Sequence, residues 1–309
     1  MGRGLRPVAL PLIGFAAFFA AGPVDAHAPQ AAATAVGAGA VAIAMIAALV
    51  LYLRGVHALW RAAGPGRGVV GRSVLCFVAG WLVLGAALFG PVERASGTLF
   101  YAHMIQHELL MLVAAPLLVI GAPLATWSWS LPAAMRRRTG RVTRSIGHSR
   151  AWRALASPVG AWAAHAIAVC GWHLPAVFGA ALSSVLVHDL QHASFLATAL
   201  LFWWSLLRPH ATRRDDGVAV LLLFTTMLYT GALGALLAFS AAPWYADYQG
   251  NGTLSALEDQ QLGGLIMWLP GGVVYAVAAL ALLARCIGIA PRREPRIDVV
   301  RASPLPARR

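Results

Sequence analysis

Apolar and polar positions along this chain fall into long blocks, without the short alternation of a strand-rich soluble fold. Seven apolar runs lie at about 31–53, 73–90, 98–120, 157–174, 184–207, 217–240 and 260–284. At about 1.5 Å of rise per residue, runs of this length suit helices that cross a hydrocarbon core of about 30 Å. The pattern predicts an all-α fold, a polytopic membrane helix bundle of seven transmembrane helices embedded in the lipid bilayer. A shorter apolar stretch precedes them, VALPLIGFAAFFAAG, with Arg3 and Arg6 before it and the small residues of PVDA after it. Residues 1–26 therefore read as a signal peptide, with cleavage after Ala26 exposing His27. The expected organisation is a signal peptide at 1–26, a seven-helix transmembrane domain at 27–290 and a cytoplasmic tail at 291–309, rich in Arg and Pro.

Composition agrees. The 309 residues are 59% hydrophobic and only 11% charged, against about 25% charged in a soluble domain. A net charge of +13 raises the question of nucleic acid, but its distribution answers otherwise. The chain has no lysine, and 21 of its 24 arginines lie in alternate loops and in the C-terminal segment, whereas the intervening loops hold Arg94 alone. Such asymmetry orients a membrane protein, with the mature N-terminus outside and the C-terminus in the cytoplasm, and gives no reason to expect a nucleic-acid partner. Cys76, Cys170 and Cys286 are far apart and form no CxxC, so neither a disulfide framework nor a thiolate zinc site is supported.

Histidines supply the candidate chemistry. The third run carries YAHMIQHELLM, and counting inward from Thr98 puts His103 and His107 roughly 8 and 14 Å into the membrane from the outer side. The fifth run carries VHDLQHASF, with His188 and His192 at similar depth, and the fourth ends in GWHLP with His173 near its outer exit. Residues i and i+4 share a helix face, so each HxxxH pair presents two imidazoles toward one point. Met104 and Met111 fall toward the same side as His103, where each either fills a packing gap or adds a thioether. Neutral imidazole with thioether suits copper, Cu(I) in particular. Glu108 and Asp189 each follow a histidine of a pair; they are candidates to orient an imidazole, to handle protons, or to meet a polar group on a neighbouring span. His57, His148 and His210 lie in cytoplasmic loops and His165 is mid-span. His27, if N-terminal, would offer its amine and ring nitrogen to Cu(II) as an accessory site.

The segments HMIQHELLMLVAAPLLVIGAP, GWHLPAVFGAAL with VHDLQHASFLATALLFWW, and LEDQQLGGLIMWLPGG resemble, in order, the three signature regions of the CtaG family of cytochrome c oxidase assembly factors. That resemblance implies a seven-span protein of the bacterial inner (plasma) membrane that assists maturation of a haem–copper oxidase at its copper centre. Its histidines map onto His103, His107, His173, His188 and His192, the candidate metal ligands, and its DQ-x-GG-x-x-M-W segment onto Asp259, Gln260, Gly263, Gly264, Met267 and Trp268. Asp259, Gln260 and Met267 are thus candidates to line or support the site. Gln191 stands where an acidic residue is common in the family, and Glu108 where an apolar one is expected. The expected function is binding or delivery of copper on the outer side, with cytochrome c oxidase subunits and a copper-donor protein as partners and no substrate turnover. The alternatives are a copper transport or resistance protein, which would need a polar path through inner halves that offer only His165 and scattered Thr and Ser, and a haem- or iron-binding membrane oxidoreductase. Di-iron desaturases need HxxHH boxes facing the cytoplasm, and this chain has none; a bis-histidine haem needs only one histidine per facing helix.

Overall fold

The computed structural model describes residues 30–207, 213–250 and 252–288; the expected signal peptide, His27, His210 and the tail at 291–309 lie outside the described residues. Every one of the seven apolar runs is helical. The first is α1 (Gln30–Ala63), and the second is α2 (Gly71–Phe89), followed across Gly90 by the short α3 (Pro91–Ser96). The third is α4 (Phe100–Glu108), which passes through a π-helical turn at Leu109–Ala114 into α5 (Ala115–Ile120). After α6 (Pro123–Ser130), α7 (Ala133–His148) and α8 (Arg150–Leu155) come α9 (Pro158–Trp172), α10 (Pro175–Ser183), α11 (Val185–Leu207), α12 (Arg213–Ala238) and α13 (Ala256–Cys286). No β-strand occurs among the described residues, which hold one isolated bridge, Gly250 with Ser255. Six helical stretches are long and apolar enough to cross a membrane, and a seventh is obtained if α9 and α10, bent by 76° at their junction, count as one span. Ile43, Leu75, Ile167, Leu228 and Leu280 are each more than half exposed on these helices. Large side chains left bare in this way suit a lipid environment, and the chain is a multi-pass membrane protein.

Local sequence explains the two departures from straight spans. Pro116 has no N–H to return to the carbonyl of Leu112, and the ladder just before it widens to the π spacing. The fourth span is shorter than its apolar run implies. It starts cleanly, because Pro158 sits in the first turn and the Ser157 hydroxyl accepts the Gly160 N–H at 3.0 Å. It stops at Trp172, since Pro175 cannot extend the ladder, and the chain turns away through His173 and Leu174. The segment expected to be a plain arginine-rich loop also differs, being built from α6, α7 and α8.

Aromatic packing fastens the first spans together. Tyr52 stacks on Phe77 at 3.6 Å and donates to the Gly121 carbonyl at 2.9 Å, while the Trp81 and Trp127 indoles donate to Met45 O and Ala48 O. Small residues fasten the last two. A Cβ on Gly264 would sit 2.6 Å from both Ala238 N and Gly234 O, and one on Gly234 would sit 2.7 Å from Gly264 O. No rotamer change moves backbone atoms aside. Gly264→Val is therefore expected to cost about 1–3 kcal/mol by forcing α12 from α13, read as a lower unfolding temperature of the detergent-purified protein; an unchanged melt would contradict this packing.

Candidate metal centre

The centre begins with the problem of starting α4. Its first backbone N–H groups have no partner within the helix. Asp259, fully buried on the first turn of α13, accepts the Phe100 N–H at 2.8 Å and the Tyr101 N–H at 2.9 Å, one on each carboxylate oxygen. A carboxylate on one helix thus caps another, at the end where the helix dipole favours negative charge. Close approach makes this reach feasible: a Cβ on Gly263 would lie 2.4 Å from the Phe100 ring and 3.2 Å from Met104. The start of α13 is itself fixed by a capping box between Ser255 and Glu258. Gln260 accepts the Trp244 N–H at 2.5 Å and donates to Leu237 O at 3.4 Å, so the loop between α12 and α13 is tied down beside it.

With α4 set in this register, its two histidines meet those of α11. Ring centres of His103 lie 4.3 Å from His107, 5.4 Å from His188 and 5.8 Å from His192; His107 lies 5.3 Å from His192 and 6.2 Å from His173. Ring nitrogens of His103, His188 and His192 all fall within 4.8 Å of one another. All five sequence-predicted histidines therefore converge. His103, His107, His173 and His192 are buried, and His188 is partly exposed. Phe178 and Phe195 wall the cluster, with ring centres 5.2 Å from His103 and 4.7 Å from His107.

Hydrogen bonding around the rings fixes which nitrogens are bare. His173 Nδ1 lies 2.7 Å from the Val169 carbonyl, which can only accept, so Nδ1 carries the proton and Nε2 a lone pair. The Tyr248 hydroxyl donates its single proton to Ser96 O at 3.0 Å and must therefore accept from His103 Nδ1, also at 3.0 Å, again leaving Nε2 bare. Burial, and then the charges of Asp259 and Asp247, push the Tyr248 hydroxyl well above its ordinary range, so it stays protonated for this role. Tyr245 from the same loop donates to the His173 carbonyl at 2.9 Å, the group released where α9 ends. Five buried imidazole nitrogens of the cluster (His103 Nε2, both of His107, His173 Nε2 and His192 Nε2) have no hydrogen-bond partner among the described residues; outside it, His165 Nε2 also lacks one. Left so, each would cost on the order of 1–3 kcal/mol. A cation that accepts lone pairs from several of them relieves that cost, and the donor set fits a borderline or soft transition metal.

Other candidates are placed differently. Asp259 and Gln260 give their polar atoms to backbone groups and act by positioning α4 and the loop. Met267 is buried in the main core with Met111, and Met104 packs on Gly263 in the Phe100–Phe178–Tyr245 cluster. Glu108 faces α13, where its carboxylate would touch a Cβ on Gly271 at 3.2 Å, and its buried Oε2 has no hydrogen-bond partner among the described residues. Asp189 is exposed. Sequence reasoning missed Tyr245 and Tyr248; the aromatic run in APWYADYQ, in a short loop between spans, was the available signal.

Compared with known proteins, residues 50–288 match the family model described as cytochrome c oxidase caa3 assembly factor (Caa3_CtaG). That stretch contains all five histidines and Asp259. No curated protein and no solved structure matches the chain.

Proposed function

The chain belongs to the cytochrome c oxidase caa3 assembly factor family, and from that premise we propose that it holds copper at the five-histidine cluster and passes it on during oxidase maturation. One observation carries this reading: three imidazoles from two helices, two of them buried, place ring nitrogens within 4.8 Å of one another beside two more buried imidazoles. Among divalent first-row ions copper binds nitrogen donors most tightly, and Cu(I) tolerates the low coordination numbers that a crowded histidine set offers. His103, His188 and His192 are the primary ligands in this reading, with His107 and His173 as the second position to which the ion moves. Tyr248 and the Val169 carbonyl hold the outer nitrogens of His103 and His173, as partners of metal-bound histidines commonly do.

The arginine asymmetry supports an orientation in which the cluster opens to the outer compartment of the inner membrane and the arginine-rich end faces the cytoplasm. Copper would then arrive at His188 from a donor protein outside, and the oxidase would receive it from the same side. Cells lacking the protein are expected to make the oxidase polypeptides and insert haem, but to hold oxidase with an incomplete copper centre and lowered activity. Haem spectra, copper content and oxygen consumption of isolated membranes check this. Normal oxidase copper in cells starved of the metal would count against the proposal, as would loss of copper tolerance with an intact oxidase, which would favour transport.

A further inference from the structure

The arginine-rich segment between the third and fourth spans carries an inference independent of the histidine centre. α7 has 16 residues, none of them buried, and is about 24 Å long. At about 100° per residue, Arg137, Arg141, Arg144 and His148 fall within about 60° of one another, while Met135, Val142 and Ile146 fall within about 40° on the opposite side. Much of the apolar stripe is exposed: Met135 is 52% exposed and Val142 42%, while Ile146 is partly covered. The charged stripe is equally uncompensated. No Asp or Glu occurs anywhere from 109 to 188, and among the described residues no carboxylate pairs with any of the five arginines of α7. The helix is also held at the membrane boundary from both sides. Two residues join it to α6, which packs on α1, and Ser149 joins it to α8, just before the Ser157 cap that starts α9. Arg136 lies 4.3 Å over the Trp129 ring at the end of α6, which pins the corner.

A solvated charged face would explain the arginines but not the exposed Met135 and Val142 of the opposite stripe. A nucleic acid would cover the arginines and leave that stripe in water. An acidic bilayer surface covers both, because the stripe enters the acyl boundary while the guanidinium groups pair with headgroup phosphates. We propose that α7 is an interfacial helix that docks on the acidic phospholipid headgroups of the leaflet at the arginine-rich end of the bundle. Docking there fixes the α6–α7 corner, and through it the packing of α6 on α1.

The test uses the full-length protein with Cys76, Cys170 and Cys286 replaced by serine, carrying a fluorescent label on a single cysteine introduced by Val142→Cys or Gly140→Cys. Gly140 lies toward the charged side and has open space for a side chain. Each protein is placed in nanodiscs of phosphatidylcholine alone, or of an equal mixture with phosphatidylglycerol, with a nitroxide quencher near the headgroup. The label at 142 is expected to be quenched at least about twofold more strongly in the mixture than in phosphatidylcholine, and more strongly than the label at 140. Replacing Arg137, Arg141 and Arg144 by glutamine is expected to remove the dependence on lipid composition. Equal quenching at 142 and 140 would overturn the proposal, and so would quenching at 142 that ignores the phosphatidylglycerol. Release of the label from lipid by an added polynucleotide would assign the face to nucleic acid and overturn it equally.

Discussion

Replacing His188 and His192 together by alanine is expected to abolish copper binding by the purified protein while leaving its insertion and helix content intact. The two residues supply two of the three nitrogens that meet within 4.8 Å, and one of them, His188, is the only partly exposed member of that trio. Loss of a residue that merely orients a ligand costs 10–100-fold in metal affinity; removal of two ligands should exceed about a hundredfold. The fold should tolerate it, because His192 Nε2 has no partner among the described residues, and deleting an unsatisfied buried polar atom returns part of the free energy lost with the packing. Copper stoichiometry after competition with a chelator, together with the circular dichroism of the same sample, checks both halves. Copper retained at the wild-type ratio would rule out the shared site.

Asp259→Ala is expected to have the second-largest effect, and to act on stability and metal together. The carboxylate accepts two backbone N–H groups, fully buried, at the first turn of α4. Hydrogen bonds to a charged group contribute about 1.5–3 kcal/mol each, and removing a helix cap alone costs about 0.5–2 kcal/mol, so a loss of about 3 kcal/mol or more is expected. The freed end of α4 carries His103 only three residues on, so copper affinity should fall with the melting temperature. Asp259→Asn keeps one carbonyl oxygen as an acceptor and should fall between the two. Thermal unfolding and copper titration of the three proteins decide this; an Ala variant that melts and binds copper like the wild type would show that the cap does not position the histidines.

Much of this was legible because membrane helices announce themselves by length and apolar composition. Each apolar run was found within a few residues of a helix, and the HxxxH spacing alone put His103 with His107 and His188 with His192 on shared faces. Convergence of the two pairs, with His173, followed from alternating chain direction: the third and fifth spans begin at the end where the fourth finishes. What could not be read was set by contacts between residues far apart in sequence. Asp259 acts across 159 residues on the Phe100 N–H and Tyr248 across 145 on His103, and no local pattern marks either pairing. For Met104 and Met111 a helical wheel assigns a side, not a neighbour, and both pack in core clusters: Met104 meets Gly263, whose missing side chain draws α13 close on that side. The bend at His173 and the π turn before Pro116 are both proline effects, visible as Pro175 and Pro116 but without a direction until neighbouring helices choose one. In the arginine segment the charge asymmetry dominates the pattern and masks the helical period of α7.

Copper binding at the imidazole cluster is tested most directly by X-ray absorption at the copper edge of the full-length protein loaded with one equivalent of metal. The expected spectrum shows a shell of nitrogen donors with the multiple scattering of imidazole and no sulfur, since Met104, Met111 and Met267 are packed into core clusters. A shell dominated by sulfur, or a protein that takes up no copper under these conditions, would contradict it.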